Sequence, residues 1–244
     1  MLQTVIDIAL RAGEKIMELR RAPAEWKADG SPVTEADRAA DEMIRQELSR
    51  QFPAIPVISE ESSAPEYSAR RNWERFWLVD PLDGTREFVK GGGDFTVNIA
   101  LVEKGESVLG VLHAPVFSEL YYAQKGIGAF RSKGSESAHR IFSKRADAKA
   151  DLTVITSRSH CTPELEEYLK QFRIKERVYL GSSLKFARVA EGSADIYPRF
   201  GNTMEWDVAA GDCIYRNSSP DAPWESQFVY NKPDLRNSDF VIGF

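Results

Sequence analysis

Two aspartates three residues apart, Asp80 and Asp83, are spaced so that both could bind one divalent cation. They lie in residues 80–85 (DPLDGT), directly after the apolar run 76–79 (FWLV), which predicts a short buried strand. The glycine-threonine pair that follows predicts a tight turn into a short helix capped by the threonine. Carboxylates bind hard cations and helix-start amides bind anions, so the segment predicts a metal and phosphate site, or alternatively an ordinary turn.

Four further acids are placed where they could join this pair. Glu60 and Glu61 end a short apolar strand, where adjacent like charges are costly unless they are solvated, lie on different faces or bind a cation. Asp207 falls in the first turn of a predicted helix, where it either complements the helix dipole or binds a cation. Asp37 follows Thr34 by three residues, a spacing that predicts a capping box and leaves a catalytic role as the alternative.

The elements that must position these acids are predicted to form two lobes of one domain spanning residues 1–244. Lobe 1, about 1–135, carries an antiparallel sheet with two N-terminal helices on one face, and lobe 2, about 150–244, alternates strands and helices. The predicted helices span residues 2–20, about 34–50, 163–172, 182–191 and 203–215. The predicted strands span residues 55–58, 76–79, 95–102, 108–112, 120–123, 152–156, 178–180 and 194–197.

The overall composition argues against several classes of protein. The 244 residues are 42% hydrophobic and 28% charged, which is typical of a soluble globular protein. A net charge of −5 provides no basic field for nucleic acid. Two cysteines fit a reducing compartment, and no signal peptide or membrane-spanning run is evident. We therefore expect a cytoplasmic protein with no nucleic-acid partner and no integral membrane segment, with peripheral membrane association left open.

The motifs together resemble the inositol monophosphatase superfamily of Mg²⁺-dependent, lithium-sensitive phosphatases. Residues 80–85 (DPLDGT) follow Glu60 and Glu61 by about twenty residues and precede residues 206–211 (WDVAAG), in the order and spacing of that family. The resemblance covers essentially the whole chain. It implies an α/β (α+β) fold, a layered αβαβα sandwich of the sugar-phosphatase type.

The resemblance also implies a set of Mg²⁺ ligands. Glu60, Asp80 and the carbonyl of Leu82 would bind one Mg²⁺, and Asp80, Asp83 and Asp207 would bind a second. Two or three ions are expected in all. Such ions suit the chemistry, because phosphate ester hydrolysis depends on charge neutralisation and an activated water.

The catalytic residues implied by the resemblance are Asp37, Thr85 and Glu60. Gly84 and Thr85 would hold the phosphate through backbone N–H groups and the threonine hydroxyl. Asp37 would pair with Thr85 to orient and deprotonate the attacking water. No nucleophilic serine or cysteine is required.

Three segments in the second lobe resemble one branch, the 3'(2'),5'-bisphosphate nucleotidases. They are residues 156–160 (TSRSH), 181–186 (GSSLKF) and 192–199 (GSADIYPR). Enzymes of this branch convert 3'-phosphoadenosine 5'-phosphate into AMP, and some also accept the 5'-phosphosulfate. The implied partner is therefore a small phosphorylated nucleotide.

By the same resemblance, Ser182, Lys185 and Arg199 would bind the 5'-phosphate, and His160 would contact the nucleoside. A second phosphate calls for local cations in an acidic protein, and Lys or Arg would supply them. The alternatives are a solvated helix face for Lys185 and Arg188, and an ordinary loop residue for His160.

Several other functions stay open at this point. An inositol monophosphatase would share every metal ligand, and a sugar bisphosphate phosphatase or a two-metal nuclease would need basic clusters that the sequence lacks. A non-catalytic phosphate-binding relative would be expected to have lost at least one of the acids. We expect a monomer or homodimer, and from residue 219 onward we predict only edge packing.

Overall fold

A computed structural model describes residues 1–21, 23–28, 30–158, 162–220 and 224–244. The helices are α1 (Leu2–Glu18), α2 (Glu35–Gln51), α3 (Tyr67–Arg70), α4 (Thr85–Val89), α5 (Pro163–Leu169), α6 (Leu184–Ala190) and α7 (Glu205–Asn217). The strands are β1 (Ala24–Trp26), β2 (Pro32–Thr34), β3 (Val57–Ser59), β4 (Arg75–Asp83), β5 (Thr96–Glu103), β6 (Glu106–Ala114), β7 (Glu119–Gln124), β8 (Gly128–Lys133), β9 (His139–Arg140), β10 (Asp151–Thr156), β11 (Arg173–Tyr179), β12 (Tyr197–Arg199), β13 (Thr203–Met204), β14 (Arg236–Asn237) and β15 (Phe240–Ile242).

The largest sheet of the described chain has seven strands in the order β3-β4-β5-β6-β7-β8-β9. Every neighbouring pair is antiparallel except β3 and β4, which are parallel. The predicted antiparallel sheet is therefore confirmed from β4 to β9, and the parallel pairing of the edge strand β3 is an addition that the sequence did not predict. The chain between β3 and β4 crosses over through α3, so both strands run in the same direction and end on the same side.

Strand β4 separates two layers of the core because its side chains alternate between the two faces of the sheet. Trp77 and Val79 pack with α1 and α2, and Phe76 and Leu78 pack with α6 and α7. All four side chains are at most 1% exposed. The prediction that the two N-terminal helices cover one face of the sheet is confirmed.

A second, smaller sheet lies beyond α6 and α7. In it, β10 and β11 pair in parallel, and Val154 bridges Ile196 in parallel on the other side of β10. Alternation recurs here, since Ile155 packs towards α6 and α7 whereas Val154 packs with Leu165 of α5. The layers therefore run α1/α2, large sheet, α6/α7, small sheet, α5, which confirms the predicted α/β (α+β) class and αβαβα sandwich.

The C-terminal residues complete the second lobe. The strand predicted at 194–197 instead begins at Tyr197, because β12 pairs antiparallel with β15 near the chain end. Phe228 and Tyr230 are buried, and Glu205 at the start of α7 accepts backbone N–H bonds of 2.7 and 2.8 Å from residues 231 and 232. Residues 224–244 thus contribute core and fix α7, which is more than the predicted edge packing.

One core cluster combines side chains from both sides of the predicted lobe boundary, including Tyr121 before it and Phe186 after it. The division near residues 131–151 stays a prediction. A search of the described residues for a helix long and apolar enough to cross a membrane finds none.

Candidate active site

The central pair of aspartates lies on a strand rather than in a turn. β4 continues through Pro81, with Asp80 opposite Asn98 and Asp83 opposite Thr96, so β4 carries one more residue than β5 between these pairs. Such a bulge explains why a proline is tolerated inside a sheet, because the extra residues have no ladder partner. The strand predicted at 76–79 therefore extends to Asp83, so both carboxylates lie on β4 and the turn predicted at Gly84 follows them.

The segment after the bulge depends on Gly84. Its φ of +101° lies in the left-handed region, and a Cβ built there would stand 2.8 Å from the backbone oxygen of Asp94. Only glycine satisfies both the conformation and the space. Gly84 is the N-cap of α4 and Thr85 is its first helical residue, so the prediction that Thr85 caps this helix is displaced by one position.

Carboxylate oxygens of Glu60, Asp80 and Asp207 all lie within 4.8 Å of one another. Glu60 follows β3 and Asp80 lies on β4, and because these strands are parallel their ends bring the two acids to the same side. Asp207 lies in the first turn of α7, where its Oδ2 accepts the backbone N–H of Met204 at 2.8 Å. Three elements far apart in sequence therefore deliver one acidic cluster.

The cluster is electrostatically strained without a cation. Burial raises the pKa of Asp80 well above its usual range, and the carboxylates of Glu60, Asp83 and Asp207 raise it further. Burial likewise raises the pKa of Asp207, with Asp83 and Glu60 adding to the effect. The pKa of Glu60 is raised first by burial, against the ammonium of Lys27. Buried oxygen ligands with uncompensated charge are the donor set that a divalent cation such as Mg²⁺ prefers.

Asp83 lies beside this cluster rather than within it. Its Oδ2 accepts the backbone N–H of Ser183 at 2.6 Å and lies 2.9 Å from the Ser183 hydroxyl. The side-chain amide of Asn98 donates to the same oxygen at 3.3 Å. Asp83 therefore connects the acidic cluster to the segment before α6.

Asp37 uses both of its oxygens. Oδ2 accepts the backbone N–H of Thr34 at 2.7 Å, which confirms the predicted capping box. Oδ1 lies 2.8 Å from the Thr85 hydroxyl, which is also 3.1 Å from the carbonyl oxygen of Leu82. Asp37 is 1% exposed, whereas Thr85 is half-buried and lines the cleft, so the hydroxyl lies between the carboxylate and the cleft and can pass a proton to it.

One cleft of about 290 Å³ brings together most of the predicted site residues. Residues of both lobes line it, so the two halves of the chain meet at one site. Asp37 reaches the cleft only through Thr85, and His160 lies outside the described residues. The predicted residues that line the cleft are Glu60, Asp80, Leu82, Asp83, Gly84, Thr85, Ser182, Lys185, Arg199 and Asp207.

Lys185 is buried in this cleft, with 5% of the residue exposed, so the alternative of a solvated helix face is wrong for it. Its ammonium donates to the carbonyl oxygens of Ser182 at 2.5 Å and Leu180 at 3.3 Å, and lies 5.3 Å from the centre of the Tyr197 ring. Burial lowers the pKa of Lys185 to about 8, although the carboxylate of Asp83 opposes this. Ser182 has a φ of +52°, a strained conformation for serine.

Arg199 is also buried, at 9% exposed. One guanidinium nitrogen donates to the carbonyl oxygen of Asn202 at 3.2 Å, whereas Nε has no hydrogen-bond partner among the described residues. Arg188, the other helix cation considered from the sequence, instead pairs with Glu119 and Glu191 away from the cleft lining. The cleft therefore combines an acidic cluster with two buried cations.

Sequence reasoning missed three residues of the site. Ser183 and Asn98 hold Asp83, and the ammonium of Lys27 lies 3.0 Å from Glu60 Oε1 and 2.6 Å from Glu61 Oε1. Strand alternation could have placed Asn98 near the acids, since it lies opposite Asp80. Nothing in the local pattern distinguishes Ser183 from its neighbour Ser182.

Comparison with known proteins supports the assignment of the fold. The model of the inositol monophosphatase family matches residues 1–218. The 3'(2'),5'-bisphosphate nucleotidase CysQ of Salmonella typhimurium is 49% identical over 218 residues, which cover 88% of this chain and 86% of that protein. CysQ of Escherichia coli K12 is 46% identical over the same length and the same shares of each chain.

Solved structures of related proteins have the same fold as this chain. CysQ from Bacteroides thetaiotaomicron, described as a bacterial member of the inositol monophosphatase family, superposes with a TM-score of 0.82 at 42% identity, over 98% of this chain and 95% of that one. The extragenic suppressor protein SuhB from Bartonella henselae gives a TM-score of 0.75 at 28% identity, over 88% and 84%. With the family model spanning most of the chain and relatives this similar along nearly their full length, the chain belongs to the inositol monophosphatase family.

Proposed function

We propose that the chain is a Mg²⁺-dependent 3'(2'),5'-bisphosphate nucleotidase that removes the 3'-phosphate of 3'-phosphoadenosine 5'-phosphate to give AMP. The 5'-phosphosulfate analogue is a further candidate substrate. The observation that carries the proposal is one cleft that holds both the carboxylate cluster and the buried cations Lys185 and Arg199. We expect the protein to act in the cytoplasm as a monomer or homodimer.

The donor set fits Mg²⁺. Glu60, Asp80 and the Leu82 carbonyl would hold one ion, and Asp80, Asp83 and Asp207 a second, with two or three ions in all. Bound Mg²⁺ supplies positive charge that stabilises the transition state and makes water a better nucleophile. The buried position and raised pKa of Asp80 support this assignment, because a cation offsets the repulsion among the acids.

Thr85 and Asp37 would handle the proton. The Thr85 hydroxyl, 2.8 Å from Asp37 Oδ1, would accept the proton of the attacking water and pass its own to the carboxylate. The water oxygen forms a bond to phosphorus as the bond to the ribose 3'-oxygen breaks in line, and the 3'-oxygen takes up a proton from solvent water, so the products are AMP and inorganic phosphate. Gly84 and Thr85 would hold the phosphate through their backbone N–H groups.

Lys185, Arg199 and Ser182 would bind the 5'-phosphate, which does not react. Arg199 Nε has no hydrogen-bond partner among the described residues, so an anion oxygen would satisfy it. Lys185 is costly to keep charged in a buried position, and a phosphate would offset that cost. A nucleoside contact for His160 stays a prediction.

The inositol monophosphatase alternative shares the carboxylates but gives Lys185 and Arg199 no substrate anion to bind, since inositol monophosphate carries only the reacting phosphate. A non-catalytic role fits poorly with the contact between Asp37 and Thr85. This hydroxyl–carboxylate pair would serve proton transfer, and both of its members are present and in hydrogen-bonding distance. The bisphosphate nucleotide is therefore the substrate that the cleft favours.

The test is phosphate release from 3'-phosphoadenosine 5'-phosphate and from inositol 1-phosphate, each with and without Mg²⁺, with Asp80→Asn as the blank. We expect strong Mg²⁺-dependent turnover of the nucleotide and little of the inositol ester. The reverse preference would keep the metal site and refute the roles of Ser182, Lys185 and Arg199. Release from neither would refute the nucleotidase proposal.

A further inference from the structure

Ser183 joins three parts of the cleft that are far apart in sequence. It lies directly before α6 and is 3% exposed. Its backbone N–H donates to Asp83 Oδ2, and its hydroxyl oxygen lies 2.5 Å from the backbone carbonyl oxygen of Asp207 and 2.9 Å from Asp83 Oδ2. The side-chain amide of Asn98 donates to the same hydroxyl at 3.0 Å. One small side chain thus contacts β4, β5 and α7 at once.

These contacts orient the carboxylate of Asp83. Within the described residues, every hydrogen bond to this carboxylate goes to Oδ2, from Ser183 and Asn98. Hydrogen bonds to a charged acceptor are stronger than neutral ones, so Oδ2 is committed to its protein donors and Oδ1 is left as the cation ligand. The same contacts explain why Asp83 stands beside the group of Glu60, Asp80 and Asp207.

Ser183 touches only one of the two proposed cation sites. Asp83 and Asp207 are both assigned to the second ion. Ser183 contacts the side chain of Asp83 and the backbone carbonyl of Asp207. Among the described residues, Ser183 makes no hydrogen bond to Glu60 or Leu82, the two ligands assigned to the first ion alone. A change at Ser183 should therefore act on the two ions unequally.

We propose that Ser183 is a positioning residue for the second divalent cation, and that it ties this cation to the segment that carries Ser182 and Lys185. The two ions and the substrate rest on the proposed function. The hydroxyl orients Asp83 for the ion, and the same residue leads into the helix that places Lys185 in the cleft.

The test is calorimetric titration of Mg²⁺ into the unliganded protein and into Ser183→Ala. The substitution keeps the backbone N–H that Ser183 donates to Asp83 and removes the hydroxyl that shares one proton between Asp83 Oδ2 and the Asp207 carbonyl oxygen. Losing that contact should weaken one of the two binding steps about tenfold and leave the other within about twofold. Ser193→Ala is the matched control, because Ser193 is exposed and follows the same helix, and within the described residues its hydroxyl hydrogen-bonds to Arg188 and Glu191. Both of its steps should match the unmutated protein.

The outcomes separate positioning from general damage. Equal weakening of both steps, or no weakening of either, would overturn the proposal. If Ser183→Ala is unfolded at the titration temperature, Ser183→Cys decides the question, because the thiol fills the same space and hydrogen-bonds poorly.

Turnover supplies a second readout. The Mg²⁺ concentration for half-maximal rate should rise about tenfold in Ser183→Ala, while kcat at saturating Mg²⁺ should stay within about threefold. A lower kcat that saturating Mg²⁺ does not restore would contradict positioning. If the unmutated protein does not hydrolyse the nucleotide, the proposed function fails, whereas the calorimetric comparison still decides the role of Ser183.

Discussion

The ammonium of Lys185 offers a sharp test of the 5'-phosphate site, because burial places its titration near neutral pH. Its pKa is lowered from 10.5 to about 8, first by burial and then by Arg199, against the attraction of Asp83. Below pH 8 the side chain is charged and would bind the 5'-phosphate. As the pH rises through 8 the charge is lost, and the attraction is lost with it.

The size of the effect follows from the titration. With a pKa of about 8, roughly 90% of the side chain is charged at pH 7 and roughly 10% at pH 9, so kcat/KM should fall about tenfold between these pH values. The free energy of unfolding of the unliganded protein should instead increase as the pH rises. The folded pKa lies below the unfolded one, so holding Lys185 charged at pH 7 costs roughly 3 kcal/mol, a cost that disappears between pH 8 and 10.5.

The assay is kcat/KM at pH 7 and pH 9 for 3'-phosphoadenosine 5'-phosphate and for 3'-AMP, which lacks the 5'-phosphate. The ratio between the two substrates cancels changes in the metal site and in the water-activating residues. It should fall about tenfold in the unmutated protein and stay flat in Lys185→Arg, which is charged at both pH values. In Lys185→Met it should be low and flat, and Lys175→Met on the exposed face of β11 is the matched control.

Two results would refute the reasoning. A ratio that does not change with pH in the unmutated protein would show that Lys185 is not the titrating group. Equal losses on both substrates in Lys185→Met would show that Lys185 does not bind the 5'-phosphate. Lys185→Met should also raise the free energy of unfolding of the unliganded protein at pH 7, which chemical denaturation measures.

Three further predictions concern the metal and phosphate loop. Thr85→Val removes the hydroxyl that contacts Asp37 and should lower kcat by about 10²- to 10⁴-fold while calorimetry finds Mg²⁺ affinity unchanged; a kcat within tenfold would contradict the proton relay. Gly84→Ala would strain a φ of +101° and press a Cβ against the backbone of Asp94, so denaturant titration should show a loss of about 1–3 kcal/mol. Because burial and neighbouring acids raise the pKa of Asp80, the charged form is disfavoured in the fold, and stability is lost as pH rises above the unfolded value of 3.8. The metal-free protein should therefore have a lower Tm at pH 8 than at pH 5.5, and Mg²⁺ should restore the Tm at pH 8. Asp80→Asn should raise the Tm of the metal-free protein at pH 8. A Tm at pH 8 that changes neither with Mg²⁺ nor with Asp80→Asn would refute this reasoning.

Short-range patterns in the sequence determined much of this protein. The capping box of Thr34 and Asp37 depends on residues three apart, and the apolar run 76–79 alternates between two faces as any buried strand must. The layered fold followed from the resemblance carried by residues 80–85 and 206–211. Local chemistry and family motifs therefore suffice to name the acids and the fold, although the strand that carries Asp80 and Asp83 was predicted too short.

Only the tertiary structure decided how the acids are held. Asp83 and Ser183 are 100 residues apart, and their hydrogen bond depends on how α6 packs against β4. The burial of Lys185 and the parallel pairing of β3 with β4 also arise between distant segments. A local pattern records what a residue can do, whereas the partner it meets, the solvent it loses and the resulting shift in its pKa depend on segments that come together only in the fold.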